Sequence, residues 1–262
     1  NEQHYEVDTR FYNLVLGKHR KYSSALYPSA DTDVSHALDL LDEAEDRMLQ
    51  LYAQRARITS EDSFRVMDLG CGWGSVTLWF ASKFPKCTFV GLSNSNTQRE
   101  FIMGEAARRG LTNVDVLTGD ITKYQLPSSV DKFDRVISIE MFEHMKNYEK
   151  LLNKVSSSFL KPKGYLFVHI FVANTFPYHF EVKENDPSSW MAEHFFSGGT
   201  MPAEDTLLDF QHDVALVDRW RVNGKHYSLT LEAWLQKMDK NIDQVQHLFK
   251  EIYGEENMVM WT

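Results

Sequence analysis

Apolar and polar positions alternate along the middle of the chain in blocks that predict strands and helices in turn. Short apolar runs are separated by longer segments with helical periodicity. The predicted strands are 64–69, 87–92, 114–117, 133–139 and 165–171, and the predicted helices between them are 75–84, 95–110 and 147–159. Strands that alternate with helices predict an α/β fold with a parallel, doubly wound sheet.

The two flanks of this core have a different pattern. Residues 1–60 are polar and predicted to be helical, with an amphipathic helix over 37–58. Residues 173–262 are rich in aromatic side chains, with a late strand predicted at 213–222 and a helix at 230–253. The chain is therefore divided into a helical N-terminal cap segment (1–60), a sheet core (61–172) and a final region (173–262). That final region combines an aromatic cap over the ligand crevice with the remaining strand and helix.

Composition narrows the class of protein. The chain of 262 residues is 43% hydrophobic and 25% charged, values typical of a globular protein in water. Its net charge of −9 counts against nonspecific binding to nucleic acid or to anionic membranes. No apolar stretch approaches the roughly 18 residues of a membrane span, and no signal peptide is visible. Two cysteines without a CxxC pair favour a reduced, cytoplasmic setting.

A glycine-rich turn follows the first predicted strand and opens a helix. A dinucleotide-binding fingerprint has its third small residue at the position of Ser75 and an acidic residue after the second strand. This chain differs, since its glycines are Gly70, Gly72 and Gly74, after Asp68. The turn also lacks the lysine of a nucleotide phosphate loop. A carboxylate at Asp68 would repel a pyrophosphate but suits a ligand with ammonium and sulfonium groups. This pattern predicts a site for S-adenosyl-L-methionine (SAM); the alternative is a glycine turn without a ligand.

Polar residues after the next strands fit the same prediction. Asp120, after the third strand, could accept a hydrogen bond from an adenine amino group, or serve only as a turn or helix cap. Ser93, Asn94 and Gln98 could hold ribose hydroxyls. The alternative is a capping box from Ser95 to Gln98 that only starts the helix.

An acidic cluster follows the fourth strand. Glu140, Glu143 and His144 would share a face if this stretch were helical. Together they could hold an ammonium group and accept its proton, and a like-charged neighbour would tune the base toward neutrality. The alternative is a solvated first helical turn, where the helix dipole favours acids. A metal site would need further ligands, which the sequence does not offer, so none is predicted.

Taken together, the motifs resemble the coclaurine N-methyltransferase family, which is related to cyclopropane fatty-acid synthases. The resemblance rests on YSS (22–24), DLGCGWGS (68–75), GLSNSNTQREFI (91–102), GDIT (119–122), SIEMFEHMKNY (138–148), GYLFVH (164–169), FFSGGTMP (195–202) and VNGKHYSLTLEAWL (222–235). It implies a class I SAM-dependent methyltransferase with a Rossmann-like fold. It further implies methyl transfer to the nitrogen of a benzylisoquinoline or phenylalkylamine, with S-adenosyl-L-homocysteine (SAH) as the second product.

The resemblance also assigns roles to residues. It implies that Glu143 and His144 handle the proton and that Glu140 anchors the amine. The implied cofactor contacts are Tyr22, Ser23, Asp68, Gly70, Gly72, Asn94, Gln98, Asp120, Ile121 and Ile139. The implied substrate contacts are Tyr22, His169, Phe195, Trp220 and Tyr227, although for any one aromatic the alternative is core packing.

Two departures from the family bear on function. Cyclopropane synthases carry a Cys where this chain has Ser24. In those enzymes the Cys holds a bicarbonate base together with a Glu, a His and a Tyr, whose positions here are Glu143, His169 and Tyr227. The substitution weakens a lipid-modifying alternative without removing it, and a SAM-binding module without turnover also stays open. Family members also continue past Thr262 into a final strand, which is expected to be missing here. The sequence leaves oligomeric state open, including a homodimer.

Overall fold

A parallel β-sheet forms the centre of the computed structural model, which describes residues 8–182, 192 and 198–254. The strands are β1 (Arg65–Leu69), β2 (Thr88–Ser93), β3 (Val114–Thr118), β4 (Phe133–Ile139), β5 (Leu160–His169), β6 (Tyr178–His179) and β7 (Thr200–Met201). The helices are α1 (Thr9–Val15), α2 (Leu41–Arg55), α3 (Ser75–Lys83), α4 (Asn96–Arg108), α5 (Tyr148–Lys154), α6 (Lys225–Lys240) and α7 (Ile242–Tyr253). The strand order β3-β2-β1-β4-β5, with every neighbour parallel, confirms the predicted fold class.

The apolar runs of the strands are buried because helices cover both faces of the sheet. On one face, Ile137 and Phe167 pack in a cluster with Met48 of α2 and Phe80 of α3. The opposite face packs Val136 and its neighbours against α5. This two-sided burial explains why the strands lack a polar-apolar alternation.

The order of the strands determines where a ligand can bind. The chain runs from β1 outward to β3 and then returns to β4 on the other side of β1. In such sheets the ligand crevice lies beyond the carboxyl ends of the strands, at this reversal. The turn at 70–74 and the segment at 140–147 follow β1 and β4, so the two candidate motifs meet at one crevice.

The structure corrects three predictions in the flanks. The helix predicted over 37–58 is shorter, since α2 spans Leu41–Arg55. The helix predicted over 230–253 is two helices that meet at Asn241, whose side-chain amide donates to Leu14 O and Lys237 O. The strand predicted over 213–222 does not form.

Side chains, not a strand ladder, anchor the segment 213–222. Asn153 Nδ2 donates to Asp213 Oδ1 at 2.9 Å, and Arg57 donates to Asp218 Oδ2 at 2.7 Å. Leu216 and Val217, which the prediction counted as strand positions, are about half exposed. Alternating apolar residues form a strand only beside a partner, and no neighbouring strand among the described residues pairs with this segment.

Both flanks meet in one hydrophobic cluster. Tyr12 of α1, Trp234 of α6 and Phe249 of α7 pack together with Trp73 of the glycine turn. The described parts of residues 1–60 and 173–262 therefore share a core, and the three-part division of the chain stays a prediction. In the part of the chain that the structure describes, no helix combines the length and apolar character needed to cross a bilayer.

Candidate active site

The glycine turn after β1 has a backbone that side chains would disturb. Gly70 has φ +81°, and a Cβ added there would lie 2.7 Å from Met141 Cγ. Gly72 has φ +50°, and a Cβ added there would meet no protein atom within 4 Å. Gly70 is therefore needed for packing, whereas Gly72 presents bare backbone to the crevice. That geometry suits the close approach of a bound cofactor.

Asp68 has a more structural position than the sequence suggested. Its carboxyl group is buried, and Oδ2 accepts a hydrogen bond from Thr77 Oγ at 2.7 Å. Burial raises its pKa to about 6. Asp68 thus ties the end of β1 to α3 and holds the turn between them.

The other predicted cofactor contacts divide by their hydrogen bonds. Gln98 is buried, and its Oε1 accepts from Ser93 Oγ at 2.6 Å, while Gln98 N donates to Ser95 Oγ. Only half of the predicted capping box forms, because the Gln98 side chain turns to Ser93. Asp120 is exposed and accepts from Thr122 N and Thr122 Oγ, both at 2.8 Å. Both residues thus make the local contacts that the alternative interpretation expects.

The remaining predicted cofactor residues differ in exposure. Asn94 is exposed, whereas Ile121 and Ile139 are partly buried and pack against the two core clusters beside the sheet. Their cofactor contacts stay predictions.

The segment that contains Tyr22 and Ser23 lies against the glycine turn through aromatic neighbours. Tyr22 stacks on Trp234 of α6 with ring centroids 5.5 Å apart, and it meets Tyr12 of α1 edge to face. Tyr12 in turn contacts Trp73 of the turn at 4.8 Å. Sequence reasoning missed Tyr12 and Trp234, whose only signal is an apolar position in an amphipathic helix.

Glu140 is the centre of a buried polar cluster. It has a left-handed backbone, with φ +48°, and its N–H donates to His169 O at 2.8 Å. Its Oε1 accepts from Ser24 N at 2.9 Å and lies 3.8 Å from His169 Nδ1. The Tyr227 hydroxyl also donates to this carboxylate. Non-glycine residues in this backbone region concentrate at functional sites, which supports a role for Glu140.

Glu143 is fully buried and lies in the 3₁₀ turn Phe142–His144. Its Oε1 accepts from Phe171 N at 3.0 Å. Its Oε2 has no hydrogen-bond partner among the residues that the structure describes. Burial raises the pKa of Glu143 to about 8, and the nearby charge of Glu140 acts in the same direction. A carboxyl group with such a pKa can exchange a proton near neutral pH.

The α-helix that a shared face for Glu140, Glu143 and His144 required does not form. Glu140 directly follows β4 and precedes the 3₁₀ turn, while His144 is partly buried on the turn itself. The two glutamates nevertheless lie close enough for their charges to interact.

The four groups expected to surround an anion also assemble differently. Ser24, His169 and Tyr227 gather around Glu140, whereas Glu143 turns to Phe171. The register explains this arrangement, because Ile139 pairs with His169 across β4 and β5. The residue that follows Ile139 is therefore delivered to His169, and Glu143, three residues later, is not.

Lys21 and Tyr52 also belong to this site, although the sequence did not single them out. Lys21 has no exposed surface, and its Nζ donates to Ser23 Oγ and to Ser24 O, both at 2.6 Å. The Tyr52 hydroxyl lies 2.7 Å from His169 Nδ1. Burial lowers the pKa of Lys21 to about 8 and that of His169 to about 3. The sequence signal for Lys21 is only its position beside Tyr22.

The predicted substrate contacts are not all at the cluster. His169 and Tyr227 contact Glu140. Trp220 is 46% exposed, and its ring packs against Phe167 and beneath the guanidinium of Arg55. Phe195 lies outside the described residues.

Comparison with known proteins identifies the family. The sequence profile of mycolic acid cyclopropane synthetases matches residues 1–262. (S)-coclaurine N-methyltransferase from Thalictrum flavum subsp. glaucum is 40% identical over 257 residues, which are 97% of this chain and 67% of that enzyme. The chain thus spans about two thirds of the length of this relative.

Solved structures agree with the sequence comparison. A crystal structure of coclaurine N-methyltransferase bound to N-methylheliamine and SAH superposes with a TM-score of 0.86 at 38% identity, covering 97% of this chain and 69% of that one. The cyclopropane synthase MmaA2 from Mycobacterium tuberculosis shares the fold, with a TM-score of 0.78 at 20% identity over 98% of this chain and 87% of that one. The chain belongs to the mycolic acid cyclopropane synthetase family, and it is a coclaurine N-methyltransferase-like, SAM-dependent methyltransferase with the class I fold.

Proposed function

We propose that this methyltransferase acts on the amine nitrogen of a benzylisoquinoline or phenylalkylamine, as an enzyme of alkaloid biosynthesis. The observation that carries the proposal is the pair of buried glutamates, Glu140 and Glu143, at the crevice beside the glycine turn. The names of the relatives support the same substrate class, since they include coclaurine and pavine N-methyltransferases. A solved relative binds N-methylheliamine.

In the proposed reaction, bound SAM supplies an electrophilic methyl group, which the amine lone pair attacks as the carbon–sulfur bond breaks. The backbone of the turn at Gly70 and Gly72 would hold the cofactor, with Tyr22 and Ser23 on the side of the N-terminal segment. The site also accelerates the reaction by aligning the amine with the methyl group of SAM, because the two then react as if within one molecule.

In this proposal the acidic cluster binds the charged amine and accepts its proton. The carboxylate of Glu140 anchors the amine nitrogen, whose charge becomes positive when its lone pair forms the new bond. Where the nitrogen carries a hydrogen, Glu143 with His144 accepts that proton. The raised pKa of Glu143, about 8, suits proton transfer with an amine near neutral pH.

A labelled-methyl assay tests the proposal. SAM labelled on its methyl group is given to the full-length protein with a panel of tetrahydroisoquinolines and phenylalkylamines, beside vesicles of unsaturated phospholipid. Label in the amine fraction is the expected result. Label in the lipid as a methylene would instead support the cyclopropane synthase alternative, which Ser24 opposes and which the grouping of His169 and Tyr227 on Glu140 instead of Glu143 also opposes. Label in neither fraction, with SAM bound, would leave a binding module.

The proposal includes a cytoplasmic location and a homodimer. The two cysteines, Cys71 and Cys87, are free and buried, which fits a reduced compartment. Cell fractionation tests the first statement, and sedimentation of the full-length protein tests the second.

A further inference from the structure

Lys21 is a buried lysine that the proposed chemistry does not use. Its side chain has no exposed surface, although it lies on the segment between α1 and α2. Its ammonium group donates to Ser23 Oγ and Ser24 O, and it lies 5.1 Å from the centroid of the Tyr52 ring. Burying an ammonium group costs several kcal/mol unless charges and hydrogen bonds compensate. Its environment must therefore contain a compensating anion.

Ser24 connects this lysine to Glu140. The carbonyl oxygen of Ser24 accepts from Lys21, and the N–H of Ser24 donates to Glu140 Oε1 at 2.9 Å. A buried cation and a buried carboxylate thus hold the two polar backbone groups of one residue. The segment from Tyr22 to Ser24 is fixed between them.

Of the charged groups near Glu140, Lys21 is the one that opposes the effect of burial on its carboxyl group. Burial disfavours ionisation of Glu140, and the attraction of Lys21 is the largest opposing effect on its pKa. Glu45 on α2 is the other acid that faces Lys21, but burial raises its pKa to about 7. His169 is uncharged near neutral pH, since its pKa is lowered to about 3. The other titratable or charged neighbours of Glu140 and His169 are Tyr52, Tyr227, Glu143 and Arg55.

We propose that Lys21 is a positioning residue of the methyl-transfer site, which clamps the Tyr22–Ser24 segment at the crevice and serves as the internal counter-ion of Glu140. Without a nearby cation, a carboxyl group in a dry site takes up a proton and no longer attracts an ammonium group. Lys21 therefore acts through Glu140 and does not touch the substrate. This role rests on the proposed amine chemistry for its purpose, but the charge pair itself does not.

The test compares Lys21→Met, Glu140→Gln and the double variant. Infrared titration follows the protonated carboxyl band that Glu140→Gln removes. An opposite charge nearby moves the pKa of a carboxyl group by about 1–3 pH units, so Lys21→Met should move this titration to higher pH by about one pH unit or more. Each single variant leaves an uncompensated buried group, and the double variant should melt above both. Additive melting shifts with an unchanged Glu140 titration would overturn the proposal.

Methyl transfer gives the functional readout. In Lys21→Met the acid limb of the kcat profile should move to higher pH by the same amount as the infrared titration. At pH values on that limb, each pH unit of displacement should lower kcat roughly tenfold, while the plateau above it is kept. Lys18→Met is the matched control. Lys18 lies on the same segment and pairs with Asp46 of α2, but its side chain is 45% exposed. This variant should keep both profiles, and an equal effect of Lys18→Met would contradict the assignment.

Two outcomes distinguish a failure of this proposal from a failure of the proposed function. If the wild-type protein methylates no amine, the proposed function fails, while the infrared and melting comparisons still decide the charge pair. If Lys21→Met does not fold, the double variant decides: a folded double variant supports the pair, and an unfolded one overturns it.

Discussion

Glu140 shows how one residue can be held in a costly conformation for the sake of its side chain. Its left-handed backbone, at φ +48°, costs of the order of 1–3 kcal/mol for a residue other than glycine. Hydrogen bonds from Ser24 N to its carboxylate and from its own N–H to His169 O stabilise that conformation. The burial that surrounds Glu140 also controls protonation, since it keeps His169 neutral and favours the protonated form of Glu143.

Cofactor binding and turnover should separate at single residues. Gly72→Val places a β-branched side chain at φ +50° and fills the open space beside the turn through which a bound cofactor would approach the backbone. We expect SAH affinity to fall by roughly tenfold, measured by calorimetry. Glu143→Ala and His144→Ala should retain SAH affinity but lower methyl transfer, because they lie after β4 and not in the turn. Loss of SAH affinity in these variants as large as in Gly72→Val would contradict the assignment.

The pKa of Glu143 also predicts how stability changes with pH. The folded pKa of about 8 lies above the ordinary 4.5, so between these values the folded state binds more protons than the unfolded state. Stability therefore falls as pH rises through this window. Glu143→Gln removes this dependence, and its stability relative to wild type should rise by the order of 3 kcal/mol between about pH 5 and 8. Urea denaturation at several pH values measures the difference; parallel curves would refute the prediction.

At the scale of elements, α2 is the support of the segment that leads to Tyr22. Asp46 of α2 accepts from His19 and from the Trp79 indole, and it pairs with Lys18. Its neighbour Glu45 is buried and accepts from His19 N at 2.8 Å. Helix α2 thus binds both the backbone and the side chains of the segment that leads to Tyr22.

Gly17 makes room for this contact, and its replacement should destabilise the protein. A Cβ added at Gly17 would overlap the carboxylate of Glu45, with Glu45 Cδ only 2.6 Å away. We expect Gly17→Ala to cost about 1–3 kcal/mol, as overpacking of a buried contact does. The control is Gly104→Ala, since a Cβ there in α4 would meet no atom within 4 Å. In an exposed helix interior this change should stabilise by up to about 1 kcal/mol. Equal unfolding midpoints for the two variants would be inconsistent with the contact.

At the scale of the whole molecule, the two flanks close over the glycine turn together. Tyr12 contacts Trp73, and Tyr22 stacks on Trp234, so residues distant in sequence converge on one cluster. Access to the crevice therefore depends on contacts between the beginning and the end of the described chain.

This coupling predicts that a residue of α6 affects cofactor binding. Trp234→Leu removes the stacking partner of Tyr22, and aromatic pairs contribute about 0.5–1.5 kcal/mol beyond burial. We expect SAH affinity to fall roughly three- to tenfold. Leu235→Ala, on the same helix but 47% exposed, should leave the affinity unchanged. Unaltered SAH binding in Trp234→Leu would show that the stack does not support the cofactor site.

Local patterns were sufficient to predict the sheet and the glycine turn. Strands β1 to β4 each coincide with a predicted apolar run, because a strand covered on both faces is mostly apolar. Strand β5 contains most of its predicted run but begins earlier, at Leu160, and includes the polar segment 161–164. The turn from Gly70 to Gly74 is equally local, since its backbone requires glycine in a few consecutive positions. The family prediction rested on such motifs, and the comparisons confirm it.

Tertiary structure decided which carboxylate the polar cluster surrounds, and it placed Lys21 beside that cluster. His169 meets Glu140 because β4 and β5 pair in one register, and Lys21 is buried because the segment before α2 folds onto that same point. A lysine far from any acid in sequence predicts an exposed side chain, and burial of its charge is tolerated only beside a carboxylate that the fold supplies. The segment 213–222 failed as a strand for a related reason, since its alternating pattern needed a neighbour that the described fold does not place beside it. Local sequence thus determined the strands of the sheet and the glycine turn, whereas contacts between distant segments determined which charges meet.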